Sequence, residues 1–205
     1  MMKDSSPRSD PSVAASQYVI ALARDEDVPA LPAIELAAGE LFAGYVPDDI
    51  PYDISDEQEL RDAQRLEHLW VALAENVPVG FAHVIVPEPS VAHLEELDVH
   101  PAHGRRGLGT RLVTVVCEWA AANGYCAVTL TTFRDVPWNM PVYARLGFVV
   151  VPFDELSPAL RSIVVDETRR GLDPAYRVVM RWLAQGLSCA LGSTGSERVS
   201  SSTMY

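Results

Sequence analysis

The sequence predicts a mixed α/β fold, a sheet covered by helices, and three observations predict it. Short apolar or alternating runs that read as strands are interleaved with segments whose apolar residues recur at helical spacing. The 205 residues, 48% of them hydrophobic, supply volume for one good core. One strand-to-helix corner, Asp98–Val113, sets Gly104, Gly107 and Gly109 among Arg105, Arg106 and Arg111.

The first strand is QYVIALAR. Asp25 to Asp27 then caps a helix from about Val28 to Leu41, in which Leu31, Ile34, Ala38 and Leu41 share a stripe. Pro29 and Pro32 suit its first turn, where a missing N–H costs little. After an acidic, proline-containing loop, Ser55 and Gln58 have capping-box spacing for a second helix to about Leu66. HLWVALAENVPVGFAHVIVPEP reads as two strands about a turn at Glu75-Asn76, and AHLEELDV as a third. A helix from Gly107 presents Leu108, Leu112, Val115, Val116 and Trp119 on one face and ends at Asn123-Gly124. CAVTLTTF is a strand, WNMPVYARLGF a short helix stopped by Gly147, and FVVVPF a strand. SPALRSIVVDETRRGLD is partly helical, and AYRVVMRWL is the last strand. Residues 1–17 and 186–205, rich in small and polar residues without a sustained period, read as a disordered and a flexible tail around one domain at 18–185.

Composition narrows the function. The net charge of −12 argues against a nucleic-acid partner, which needs a basic surface. No apolar run reaches the ~18 residues that span a bilayer, and the N-terminus lacks a secretory h-region, so a cytoplasmic protein with no membrane partner is expected. Cys117, Cys126 and Cys189 are few and far apart, as reduced thiols would be. Asp98, His100 and His103 resemble a ligand set only superficially, and no bound metal is expected.

The glycine corner suits an anion. A helix N-terminus offers unpaired N–H groups and a partial positive charge, glycines admit close approach, and arginines add charge-assisted contacts. GRRGLGTR has a P-loop frame but lacks its lysine, and GLGTRL lacks the third glycine of a dinucleotide fingerprint. The loop Gly104-Arg105-Arg106-Gly107-Leu108-Gly109, after a strand ending Val99-His100-Pro101, resembles the Q/R-x-x-G-x-G/A pyrophosphate loop of the GNAT acetyltransferases. Gly104 stands at the Gln/Arg position, which removes one side-chain contact and keeps the amide cradle. WNMPVYARLGF is similar to the family's N-x(3)-Y-x-x-x-G-F segment, and the element order fits from about Tyr18 to Leu183.

The resemblance implies the GNAT fold, a mostly antiparallel sheet of about seven strands with about four helices. It also implies acetyl transfer from acetyl-CoA to a primary amine, of a small molecule or peptide, in a ternary complex. Tyr143 is implied as the acid that protonates the leaving thiolate, and a phenol suits that role. Glu96 is the first choice of base and Glu95 the second; strand alternation sets Glu96 and Asp98 on one face and Glu95, Leu97 and Val99 on the other. Where some relatives carry a base on the next strand, this chain has Thr131. Backbone N–H groups of Leu97, Asp98 and Val99 are implied donors to the thioester and pantetheine, and those from Arg105 through Arg106, Gly107, Leu108 and Gly109 to Thr110 to the pyrophosphate. Asn139 is implied as a pantetheine contact, and Trp138 is read as packing. The acidic loop with Asp48, Asp49, Asp53, Asp56 and Glu57 would steer a cationic acceptor or serve as solvated surface. The alternatives are modification of protein N-termini or lysines, and a non-catalytic acyl-CoA sensor. Pairing through the C-terminal strands would give a homodimer.

Overall fold

The computed structural model describes residues 18–47 and 54–185. The seven strands, β1 (Tyr18–Leu22), β2 (Leu69–Ala74), β3 (Val77–Glu88), β4 (Val91–Val99), β5 (Ala127–Phe133), β6 (Val149–Val151) and β7 (Arg177–Leu183), form one sheet in the order β1-β2-β3-β4-β5-β7-β6. Every pairing is antiparallel except β4 with β5. The β2–β3 turn needs two left-handed residues, and Glu75 (φ 49°) and Asn76 (φ 66°) supply them.

Five α-helices are present among the described residues, where about four were expected: α1 (Leu31–Gly39), α2 (Glu57–Arg65), α3 (Leu108–Ala122), α4 (Met140–Arg145) and α5 (Pro158–Arg169). The fifth is the segment read as partly helical. Ser157 caps it through Leu160 N–H, and it ends before Gly171 at φ +94°. The first helical segment is not one continuous helix, because 3₁₀ turns at Val28–Ala30 and Glu40–Phe42 flank α1. Asp27 does not cap it; its carboxylate accepts from the Arg24 N–H and guanidinium instead. The cap of α2 is Asp56 rather than Ser55, with Oδ1 accepting the Gln58 N–H at 2.7 Å.

Alternation along the strands sorts the core onto two faces. Trp70, Ala72, Ala82, Leu94, Val128 and Met180 pack with Leu112, Val116 and Ala120 of α3. On the opposite face Leu69, Val71 and Phe81 meet Val28, Leu31, Ile34 and Leu60 of the α1–α2 layer, and Val179 meets Leu160 of α5. Cys117 is a buried free thiol, raised by burial to about 12. The expectation of reduced thiols does not hold for Cys126, which is disulfide-bonded. Cys189, the two tails, Asp48, Asp49 and Asp53 lie outside the described residues.

Candidate active site

The sheet is interrupted at one place. β4 pairs with β5 only from Val91–Ala127 to Leu94–Leu130, and beyond that the two strands run on unpaired. A cavity of about 380 Å³ occupies the gap and is lined from both sides of the sheet. Asn139, just before α4, and Tyr143 of α4 line it, and so do Glu35 of α1 and Phe42 beyond it.

A bulge breaks the alternation along the β4 edge of this cavity. His83 pairs with Glu96 but Val84 pairs with Leu94, so Glu95 is the extra residue. The alternation expected from sequence, with Glu95 beside Leu97 and Val99, is therefore corrected. Leu97 and Val99 pack against the α3-side core, with Leu97 also at the cavity wall, and Glu95 and Glu96 both line the cavity. The backbone follows the same logic. His100 N–H donates to Val79 O on β3 at 2.8 Å, so by alternation the N–H groups of Leu97 and Val99 point away from β3. The Leu97 N–H donates to Glu96 Oε1 at 3.3 Å.

Glu35, Glu96 and Asp98 bring carboxylate oxygens within 4.8 Å of one another. Glu35 is 4% exposed and accepts the Ser55 N–H with both oxygens, at 3.2 and 3.1 Å. Asp98 is 8% exposed, and its Oδ2 has no hydrogen-bond partner. Burial, reinforced by Glu35, raises Glu96 to about 7. Burial and the Glu96 charge raise Asp98 well above the usual carboxylate range. Tyr143 is buried as well, and burial together with Glu96 and Asp98 pushes its phenol upward, so it keeps its proton. A carboxylate able to take a proton near neutrality and a phenol that holds one thus share a cavity.

Sequence reading missed Glu35, and its signal was position: it lies on the buried stripe of α1 with Leu31, Ile34 and Ala38, where a charge is out of place. Glu95 is raised by burial, with His93 Nε2 at 3.9 Å and Arg170 at 3.8 Å. The wall on the β5 side is a cluster in which Arg177 donates to Glu167 at 3.0 Å and to Thr131 at 2.8 Å, and Thr131 donates to Glu167. Asp98 does not join His100 and His103. The Nδ1 of His100 accepts the Ala102 N–H, and the Nδ1 of His103 is bonded to the Tyr18 hydroxyl. Trp138 packs with Phe42 and Tyr45, at 6.1 and 4.7 Å between ring centroids, beside the cavity.

The glycine corner leads from β4 into α3. After a 3₁₀ turn at Pro101–His103, Arg105 (φ 57°) and Gly107 (φ 75°) turn left-handed, and α3 starts with no side chain capping it. A Cβ at Gly107 would meet nothing within 4 Å, so conformation rather than crowding calls for glycine there. A Cβ at Gly109 would come no nearer than 4.0 Å to Leu97, so the space over the helix start is open. Arg111 donates to Tyr18 O at 3.1 Å and Arg106 lies 5.8 Å over the Tyr18 ring, which ties the corner to β1.

The profile of the acetyltransferase (GNAT) family matches residues 33–148, more than half of the chain. The chain belongs to the GNAT acetyltransferase family. That match contains the glycine corner, the bulged half of β4 and Tyr143. Human N-acetyltransferase 8 is 30% identical over 122 residues, covering 57% of this chain and 54% of the relative. The chain thus spans about half the length of the curated relatives it matches. The PaiA N-acetyltransferase from Thermoplasma acidophilum, solved in complex with coenzyme A, shares the fold at TM-score 0.61 and 14% identity, over 81% of this chain and 98% of that one. N-acetylglutamate synthase from Neisseria gonorrhoeae, complexed with coenzyme A and N-acetyl-glutamate, aligns at TM-score 0.60 and 17% identity, over 82% of this chain and 35% of that one. The GNAT fold expected from the motifs is the fold observed. Among the described residues, no helix is long and apolar enough to cross a membrane.

Proposed function

We propose that the chain transfers an acetyl group from acetyl-CoA to a primary amine by direct attack in a ternary complex. The observation that carries this reading is the cavity through the sheet gap, where Glu96 and Tyr143 meet beside the free edge of β4. Structures of this fold solved with coenzyme A support the choice of co-substrate.

The uncapped start of α3 takes the pyrophosphate on the amides from Arg105 to Thr110, and the open space at Gly107 and Gly109 lets those amides come close. The N–H groups of Leu97 and Val99 hold the thioester carbonyl and the pantetheine arm, with Asn139 alongside. An alkylammonium, with a pKa near ~10.4, must lose a proton before its nitrogen can attack. Glu96 accepts that proton; its raised affinity makes it a competent base near neutral pH, with the carboxyl oxygens of Glu35 and Asp98 close by to accept N–H groups of the amine. The nitrogen adds to the thioester carbon, and the oxyanion rests on the β4 N–H donors. The C–S bond then breaks, the thiolate takes the Tyr143 proton, and the proton left in excess on the acetylated nitrogen restores the phenol. Glu95, held beside His93 and Arg170, is the second-choice base. A non-catalytic acyl-CoA sensor would have no use for three carboxyl groups, two of them buried, beside a phenol.

The test is acetyl-CoA turnover with a panel of primary amines, followed as release of the CoA thiol. Amine-dependent release is expected; binding of acetyl-CoA with no amine-dependent release would favour the sensor.

A further inference from the structure

A second cavity, of about 520 Å³, lies between β6–β7 and α5. Its lining is largely apolar, with Val151, Leu156, Val164 and Val179 at its wall. Its rim is apolar and wet: Val150 is 48%, Phe153 58% and Val165 41% exposed. Apolar concavities of this size that open to solvent are characteristic of ligand sites.

The cavity adjoins the reaction cavity, since Thr131, Glu167, Leu172 and Arg177 line both. Three of these four form the closed cluster described above, in which Arg177 and Glu167 pair at 3.0 Å and both hold Thr131. Their charges satisfy one another, so an apolar group passing them meets no unpaired ion. The second cavity also lies on the face of the sheet that carries α1 and α5, opposite α3 and the glycine corner. Because its rim opens directly to solvent, a molecule arriving separately from CoA can enter it.

We propose that this cavity holds the apolar substituent of the acceptor, so that the preferred substrates are primary amines with an alkyl or aryl tail. The inference rests on the amine-acetylation reading above and names its substrate class. The amino group sits among Glu35, Glu96 and Asp98, and the tail runs past the Glu167–Arg177 pair under α5.

The test compares ethylamine with n-octylamine. In the wild-type protein kcat/KM should rise about tenfold or more with the longer chain. In Val165→Trp, which fills the rim from a half-exposed helix position, the gain should vanish while ethylamine turnover is unchanged. Val150→Trp, on the opposite side of the rim, should behave alike. Turnover indifferent to chain length would overturn the inference and leave the acetyltransferase reading intact. So would a chain-length gain that appears with octanoyl-CoA instead of with the amine. If neither amine is acetylated, calorimetry of n-octylamine binding separates the two ideas. Binding with a negative heat-capacity change that Val165→Trp abolishes would sustain the cavity and sink the reaction; no binding would sink the cavity.

Discussion

The two halves of β4 are one continuous strand with opposite surroundings. Val91–Leu94 runs between β3 and β5, with every residue paired to β5 and three of the four to β3, and all four residues are buried. Glu95–Val99 keeps only β3, carries a bulge and holds three acids. The first half has the make-up of a core strand. The second takes the Leu97 and Val99 N–H groups out of the sheet ladder and draws three carboxyl groups into a largely buried cavity, arrangements that cost stability and are characteristic of a functional site.

Breaking the functional half should produce the largest effects. Gly107→Asp sets an anion and a disfavoured left-handed conformation where the pyrophosphate belongs, and acetyl-CoA binding by calorimetry should be lost. Undiminished affinity would remove the cradle from the account. Glu96→Gln should lower kcat by about 10²–10⁴-fold. The wild-type rate should climb as pH rises through about 7, because Glu96 works deprotonated, and the variant should lack that limb. An unchanged profile would transfer the role to Glu95 or to water. Breaking the structural half should act on stability instead. Leu94→Ala, in the main core, should cost about 2–5 kcal/mol in denaturant unfolding. Tyr143→Phe should lower kcat about a hundredfold with little change in acetyl-CoA KM; equal turnover would reduce Tyr143 to packing.

The smallest effect sharpens the contrast most. The folded-state pKa of Glu96 is raised above its unfolded value, so its contribution to stability is fully present below about 4.5 and is lost as pH rises toward about 7. Glu96→Gln should therefore match wild type near pH 4.5 and exceed it near pH 8 by on the order of 1–3 kcal/mol. A variant that gains stability as it loses activity would mark the acid as functional. Equal stability at both pH values would mean that Glu96 is solvated.

What was legible in the sequence was local. Glu75-Asn76, Asn123-Gly124 and Gly147 announce turns and helix ends because their backbones are left-handed or stand beside a residue that is. The strand order of residue types gave the sheet, and the glycine corner stood out because few local structures need glycines at that spacing. The site's second half was not legible, because it is made across the sheet. The bulge at Glu95 is a matter of register between β3 and β4, which alternation along β4 alone cannot reveal. Glu35 joins Glu96 and Asp98 only once α1 lies on the sheet, and Arg177 meets Glu167 and Thr131 only once β7 pairs with β5. The Asp56 cap shows the same on a smaller scale: Ser55 has the right spacing, but its N–H is taken by Glu35.

The most direct test of the central claim is thermal unfolding of the protein with acetyl-CoA, with CoA and with ATP. The account predicts a rise in Tm with both CoA species and none with ATP. No rise with either CoA species would contradict it, leaving the glycine corner a turn and the gap between β4 and β5 without a co-substrate.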